Sequence, residues 1–236
     1  MSFTVDLPGA SVLFSTRDGG VSDGPYESLN LGLLTGDDRA SVIANRRRLA
    51  AMAGIEPENV AMGWQVHGAE IREWDGPDPD RAFLDPQGGH LKVDGHIARR
   101  SGIAALVLVA DCLPVAIAGD GAVAMLHCGW RGLAGGIIGR ATSLLVGKAA
   151  AVGPGIGPCC YEVGDEVLDV FAGYEGVAEG RMLNLRAVAE AQLRAAGIER
   201  VEHVDECTSC RRDLFFSHRR DSGVTGRQGG IAWLTA

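Results

Sequence analysis

The chain has 236 residues, of which 46% are hydrophobic and 22% charged, a composition typical of a globular protein and unlike that of a disordered or fibrous one. Its net charge of −8 argues against nonspecific binding to nucleic acid or to an anionic membrane, since both require a basic face. Residues 1–10 show neither a basic segment nor a long apolar one, so we expect no secretory signal and a cytoplasmic location. The apolar stretch 101–119 contains Asp111 and Pro114, and it predicts two buried strands rather than a membrane helix.

The first part of the chain alternates short apolar runs with glycine-rich polar loops. Patterning predicts a strand at 11–16, a polar loop at 17–20, a helix at 38–53 and a strand at 60–66. Residues 75–90 contain several prolines and glycines and predict a long loop, which is the best candidate for a lid over a ligand.

Three strand-like runs then follow one another at 103–110, 113–118 and 122–127. Asp120-Gly121, between the last two, predicts a tight hairpin turn. If these two residues occupy the centre of the turn, Cys112 lies opposite Gly129, and His127 lies two residues from Gly129 on the same face. Such diagonal neighbours are roughly 7–8 Å apart, a span that a cysteine and a histidine can bridge through one metal ion.

The remaining pattern indicates that strands and helices alternate to the end of the sequence. It predicts a helical run after Trp130 to 147, a strand at 149–153, helices at 164–172 and 185–196, a strand at 198–204, a turn at 207–210, a basic segment at 211–227 and a strand at 230–234. No internal repeat or linker divides the chain, so the prediction is a single mixed α/β domain over residues 1–236.

One candidate metal site combines His67 with the Cys112–His127 pair. Catalytic zinc usually has three protein ligands of these types and leaves a fourth position open. His67 is included because it ends an apolar strand-like run and is followed by glycine. A histidine at the end of a strand is more often a hydrogen-bonded structural residue, so spacing alone is a weak indication.

The other cysteines give less definite indications. Cys207 and Cys210 have metal-ligand spacing, but a structural zinc site needs four ligands, and the adjacent Cys159 and Cys160 do not match a second spaced pair. Small buried residues of a turn are the favoured interpretation of 207–210. Cys159 or Cys160, placed before a helix, is an alternative thiol nucleophile, although no base partner is identifiable.

Two arginines are candidates for binding phosphate or another anion. Arg17 lies in a glycine-flanked loop, and Arg131 lies at the start of a predicted helix. The alternative for Arg17 is a surface ion pair with Asp18, and the sequence does not decide between the two.

Several blocks resemble the laccase-domain proteins, a bacterial family named after polyphenol oxidases and now described as purine nucleoside phosphorylases. The blocks are 14–22, 64–68 (WQVHG), 110–115 (ADCLPV), 127–132 (HCGWRG), 153–164 (GPGIGPCCYEVG) and 214–226, in this order. The resemblance therefore extends over essentially the whole chain.

The resemblance implies an αββα-like sandwich with a mixed sheet, related to cysteine-hydrolase toxins, in which His67, Cys112 and His127 hold zinc. It also implies phosphorolysis of adenosine, inosine, guanosine and methylthioadenosine, together with adenosine deamination at the same site. Arg17 corresponds to the family arginine expected to hold phosphate or ribose. His218 stands where the family often has tyrosine.

Zinc-activated water accounts for deamination, whereas phosphorolysis needs a bound phosphate and stabilisation of the departing base. The sequence leaves the general acid for the departing purine unassigned, with Asp111 as a candidate. Purine nucleosides and phosphate are thus the expected ligands, and the chain is expected to be a monomer or a homodimer.

Three other functions compete with this one. A polyphenol oxidase would need copper, but six histidines without a His-x-His pair cannot supply a full multicopper set, which leaves at most a single copper site. An amide hydrolase that edits peptidoglycan precursors could use activated water or a cysteine nucleophile. A metal-stabilised binding protein without turnover would have its fourth metal position filled by protein.

Overall fold

The computed structural model describes residues 1–85 and 91–235. The strands, in chain order, are β1 Ser2–Leu7, β2 Ala10–Ser15, β3 Val60–Ala61, β4 Ile71–Trp74, β5 Gly95–Ala98, β6 Ala104–Val109, β7 Leu113–Gly119, β8 Ala122–Cys128, β9 Ala149–Val152, β10 Ala178–Glu179, β11 Met182–Leu183, β12 Arg200–His203 and β13 Gln228–Leu234. The α-helices are α1 Arg39–Ala53, α2 Trp130–Ala134, α3 Ile137–Leu144, α4 Asp165–Val170 and α5 Leu185–Ala195.

Two mixed sheets contain most of the strands. One has the order β1-β2-β13-β6-β3, with a single parallel pair between β6 and β3. The other has the order β12-β9-β7-β8-β5-β4, antiparallel in its centre and parallel at both edges. Strands β10 and β11 form a separate small ribbon.

The sheets pack face to face and carry helices on their outer faces. Apolar side chains from both sheets, including Phe14, Val107 and Met125, form the inner core. Helices α2, α3, α4 and α5 cover the outer face of the six-stranded sheet, while α1 covers that of the five-stranded sheet. This layering confirms the predicted αββα sandwich with mixed sheets.

The predicted β7–β8 hairpin is present with the expected register. Gly119 pairs with Ala122, and Leu113 pairs with Cys128. Asp120 and Gly121 both have positive φ, of 42° and 72°, as a two-residue hairpin turn requires. The sequence therefore fixes where Cys112 and His127 lie relative to each other.

Helices at 38–53 and 185–196 and the strands beginning near residues 104, 113, 122 and 149 are confirmed within a residue or two. The strand predicted at 60–66 is wrong beyond Ala61, because the next residues turn away, with the Trp64 N–H donating to the Leu91 carbonyl. The helical run after Trp130 is two helices, since Gly136 adopts a left-handed conformation. The sequence pattern predicts no strand at the positions of β1, β4, β5, β10 and β11.

Two regional predictions have different outcomes. No helix among the described residues is long and apolar enough to span a bilayer. In the predicted 75–90 loop, residues 86–90 lie outside the described residues, so the lid stays a prediction. The described part is held inward, because the buried Arg46 donates to the carbonyls of Ala82 and Phe83.

Candidate metal centre

His67, Cys112 and His127 form a cluster that we call the metal triad. Their ligand atoms, two imidazole nitrogens and one thiol sulfur, all lie within 4.8 Å of one another. The His67 and His127 rings meet edge to face, with centroids 4.8 Å apart. His127 lies near the end of β8, Cys112 immediately precedes β7, and His67 follows β3 in a loop. Two imidazoles and a thiolate suit zinc, and also copper.

The backbone is strained at two positions of this site. His67 has φ of 60° and Asp111 has φ of 91°, both in the left-handed region that residues with a side chain rarely adopt. Strained conformations of this kind cluster at functional sites because the surrounding structure must enforce them. Here the two strained conformations determine how the backbone presents the side chains of His67 and Asp111.

Asp94, which sequence reasoning missed, holds the triad from behind. Its fully buried carboxylate accepts the N–H groups of Val66, His67 and Gly68 at 2.8–3.0 Å. It also lies 2.7 Å from Nδ1 of His127. A carboxylate on one ring nitrogen fixes the tautomer and leaves Nε2 to face a metal. Asp94 thus orients two members of the triad at once.

The charges of Cys112 and His127 support each other. Burial, which alone would raise the pKa of Cys112, is outweighed by the charge and hydrogen bond of His127, so this pKa is lowered to about 6. Burial likewise disfavours a charged His127, but Cys112 and Asp94 raise its pKa to about 9. The thiol is therefore poised as a thiolate, the form that binds metal.

Gly129 provides the space for this cluster. A Cβ at this position would lie 2.9 Å from Sγ of Cys112 and 3.4 Å from Cδ2 of His67. The absence of a side chain at Gly129, the set of two imidazoles and one thiol, and the orientation of the His127 ring together fit a three-ligand metal site.

The triad opens into a cavity of about 630 Å³. This volume lies within the usual range for a small-molecule site, roughly 300–1,000 Å³. Trp64, Trp130 and Tyr161 line it, as does His218. The pKa of Tyr161 is raised to about 12, by burial first and then by the nearby charges of Cys112 and Asp111, so its hydroxyl stays protonated.

Four arginines contribute to the lining of the cavity: Arg46, Arg131, Arg219 and Arg227. Arg46 is committed to backbone carbonyls, whereas the guanidinium of Arg131 stacks 4.4 Å from the Trp130 ring. The sequence indicates only a basic segment at 211–227 for Arg219 and Arg227, and a run of arginines of this kind usually forms a solvated or oligomer-facing strip. The fold places both at the cavity wall, which only long-range packing could reveal.

Arg17 is not brought to this cavity. Its guanidinium donates to the carbonyl of Glu27 at 2.5 Å and to that of Arg212 at 3.2 Å, and it stacks 4.7 Å from the Phe216 ring. It lines a separate cleft with Asp18. An anion-binding role for Arg17 therefore stays a prediction, and its position allows a direct test.

Asp111 lines the cavity beside the triad, and two donors hold its carboxylate. The Thr208 hydroxyl donates to Oδ1 and the Arg219 N–H donates to Oδ2, each at 2.7 Å. These two hydrogen bonds fix the carboxylate in place.

Cys159 and Cys160 lie outside the described lining of the cavity. The pKa of the Cys159 thiol is raised, by desolvation first and then by hydrogen bonds with Cys210 and Cys207, which disfavours a thiolate nucleophile. These residues instead lie beside Cys207 and Cys210, with all four thiols within 4.8 Å of one another. The expectation that the adjacent pair cannot complement Cys207 and Cys210 is therefore wrong, because the intervening residues fold the two segments together.

Comparisons of sequence agree with the resemblance noted above. A family described as multi-copper polyphenol oxidoreductase laccase matches residues 11–235. The purine nucleoside phosphorylase YlmD of Geobacillus stearothermophilus is 38% identical over 242 residues, which cover 93% of this chain and 88% of that protein. The purine nucleoside phosphorylase YfiH of Escherichia coli is 34% identical over 240 residues, which cover 96% of this chain and 94% of that protein.

Solved structures show the same fold. The crystal structure of YlmD from Geobacillus stearothermophilus matches with a TM-score of 0.88 and 36% identity, covering 97% of this chain and 93% of that one. A Neisseria meningitidis protein matches with a TM-score of 0.85 and 34% identity, covering 100% and 99%.

Proposed function

The chain belongs to the multi-copper polyphenol oxidoreductase laccase family, and we propose that it is a zinc-dependent purine nucleoside phosphorylase that also deaminates adenosine. The observation that carries this proposal is one cavity in which the metal triad, a fixed carboxylate and three arginines meet. Relatives that bear the name purine nucleoside phosphorylase cover nearly the whole chain. The proposed substrates are adenosine, inosine, guanosine and methylthioadenosine, with phosphate as the second substrate.

We assign metal binding to the triad, because its donor set, the Asp94–His127 hydrogen bond and the space at Gly129 fit the ion. Bound zinc supplies a Lewis acid and a positive charge at this wall of the cavity. A laccase-type reaction has weaker support, since six histidines cannot furnish a mononuclear and a trinuclear copper site.

Arginines of the cavity supply the binding site for phosphate. Arg131, Arg219 and Arg227 present guanidinium groups whose planar donors match phosphate oxygens. The carbonyls of Thr225 and Gly226 accept from Arg227 and orient its side chain. Positioning phosphate against the sugar carbon lowers the barrier by converting a bimolecular encounter into a reaction within one complex.

Other residues of the cavity bind the purine base and transfer its proton. Trp64, Trp130 and Tyr161 offer aromatic surface to a flat purine. We assign to Asp111 the proton transfer to the departing purine: its carboxylate would take the proton that the attacking phosphate loses and pass it to the base. The Thr208 hydroxyl and the Arg219 backbone N–H hold this carboxylate in place. We also propose a cytoplasmic location, where a reducing environment would keep cysteines available as metal ligands.

The test is product analysis by mass spectrometry on protein whose metal content has been quantified. We expect adenosine and phosphate to give adenine and ribose 1-phosphate, and adenosine without phosphate to give inosine. Cys112→Ala is expected to lose both activities, whereas Asp111→Asn is expected to lose kcat with little change in KM. Folded zinc protein that turns over none of the nucleosides would overturn the proposal and favour an amide hydrolase.

A further inference from the structure

Four cysteines from two distant segments converge at the surface. Cys159 and Cys160 lie in the turn at 158–160, whereas Cys207 and Cys210 belong to the turn after β12. Their sulfur atoms all lie within 4.8 Å of one another. We call these four residues the cysteine cluster; it shares no residue with the metal triad.

The sulfur spacing suits a shared ion better than a disulfide. Sγ of Cys210 lies 3.5 Å from Sγ of Cys159 and 3.4 Å from Sγ of Cys160, so one sulfur faces two partners at similar distances. A disulfide joins only two sulfurs, at about 2.05 Å. Four sulfurs at about 2.3 Å from a tetrahedral zinc ion would stand about 3.8 Å apart.

The backbone around the cluster provides what a metal-bound thiolate needs. The N–H of Gly157 donates to Sγ of Cys207 at 3.2 Å, a hydrogen bond that stabilises charge on sulfur. A Cβ at Gly157 would lie 3.2 Å from Sγ of Cys159 and 3.3 Å from Cβ of Cys207. A side chain at this position would force its neighbours in the two segments apart by a few tenths of an ångström.

From this geometry we infer that the cysteine cluster is a second, structural zinc site with four thiolate ligands. Because all four positions of the tetrahedron are filled by protein, the site leaves no position for water or substrate and has no catalytic role. The ion joins two segments that are otherwise connected by backbone hydrogen bonds, such as that from the Thr208 N–H to the Gly155 carbonyl.

The site has a consequence for the cavity. Thr208, between the two ligands of the second segment, donates the hydrogen bond that fixes Asp111. Ile156 and Tyr161, on the first segment, line the cavity. Zinc in the cysteine cluster therefore holds the wall that carries Asp111, and its role is that of a positioning element.

Metal content under reducing, oxygen-free conditions tests the inference, with inductively coupled plasma mass spectrometry as the readout. We expect two zinc equivalents per wild-type chain, one in Cys112→Ala and one in Cys207→Ser/Cys210→Ser. Combining the substitutions is expected to leave none. Because this measurement needs no turnover, it can succeed even where the proposed enzymatic activity fails.

A spectroscopic arm identifies the ligands. Cobalt loaded into Cys112→Ala is expected to give intense thiolate-to-metal charge-transfer absorption, which the added Cys207→Ser/Cys210→Ser change removes. In the same Cys112→Ala protein, a chelator is expected to lower Tm by on the order of 10 °C.

Thiol labelling of the wild-type protein covers the case in which the variants do not fold. Peptide mapping is expected to show Cys159, Cys160, Cys207 and Cys210 protected from alkylation until a chelator is added. A disulfide within the cluster, iron in place of zinc, or full alkylation without chelator would each overturn the inference.

Discussion

The two cysteine-containing clusters of this chain have similar ligand types but different arrangements: one is open to a cavity and the other is closed. In the metal triad, three ligands face a cavity of about 630 Å³ and a buried carboxylate stands behind them. In the cysteine cluster, four thiols lie within 4.8 Å of one another, and the backbone N–H of Gly157 takes the place of the carboxylate. The number of protein ligands, more than the kind of metal, separates a centre that can act on substrate from one that joins two loops.

Removing a triad ligand gives the largest expected effect. Cys112→Ala is expected to lower kcat/KM for adenosine phosphorolysis by about 10³-fold or more, since the metal contributes several kcal/mol of transition-state stabilisation. The control is Cys207→Ser/Cys210→Ser, which keeps the triad metal. Equal kinetic losses in both proteins, with folding intact by circular dichroism, would erase the distinction between the clusters.

The carboxylate behind the triad gives the next effect. Asp94→Asn keeps the size of the side chain but removes the charge beside Nδ1 of His127, so we expect triad zinc affinity to fall about 10- to 100-fold. Chelator competition measures this. The matched control is Asp78→Asn, another buried carboxylate that accepts backbone N–H groups, including that of Ala82. Unchanged affinity in Asp94→Asn would contradict the orienting role of Asp94.

The two clusters are also expected to differ in pH dependence. Between pH 6 and 9 the metal-free pair consists of a Cys112 thiolate and a charged His127 imidazole. Metal binding requires a neutral imidazole, so His127 must release one proton when the metal binds. Triad zinc affinity in Cys207→Ser/Cys210→Ser is therefore expected to rise about tenfold per pH unit across this window. A flat profile in zinc competition titrations would show that the pair does not hold this proton.

The same pair predicts little change in the stability of the metal-free fold. The raised pKa of His127 stabilises the fold at low pH, and this contribution is lost as pH rises through about 9. The lowered pKa of Cys112 stabilises it at high pH, and this contribution is lost as pH falls through about 6. Because the two offset each other, urea unfolding of metal-free protein should show no large trend from this pair between those values.

A conservative arginine change gives the smallest expected effect. Arg227→Lys keeps the charge but loses the planar fork, so KM for phosphate is expected to rise about fivefold, the equivalent of one hydrogen bond of ~1 kcal/mol. Arg17→Lys is the matched change outside the cavity, and we expect it to leave this KM unchanged. The reverse result would place phosphate at Arg17, where the sequence resemblance implies a site for phosphate or ribose.

The sequence predicts best what depends on neighbouring residues. Hairpin arithmetic around Asp120-Gly121 places Cys112 beside His127 because turn chemistry fixes register locally. Asp94 has no such signal, since its hydrogen bonds reach back to the chain at Val66, His67 and Gly68. Its position follows from the pairing of β5 with β4 and β8. The sequence pattern of such short strands does not predict which strands they pair with.

The cysteine cluster is also difficult to predict from the sequence, because its two segments are far apart in the chain. Known zinc patterns favour two spaced pairs, and Cys159-Cys160 breaks that expectation. A turn brings the adjacent pair to Cys210 only because β9 and β12 lie side by side in parallel, so that the loops after both strands leave the sheet at the same end. Pattern alone contains no information on that pairing.

The place of β13 has a consequence for how the protein forms during synthesis. This strand lies between β2 and β6, so the five-stranded sheet stays split until β13 has been made. All triad ligands, Asp94 and the β7–β8 hairpin precede it in the chain. We expect a nascent chain to assemble the triad early while the open edges of β2 and β6 wait for their central strand, an interval in which chaperones would guard against mispairing.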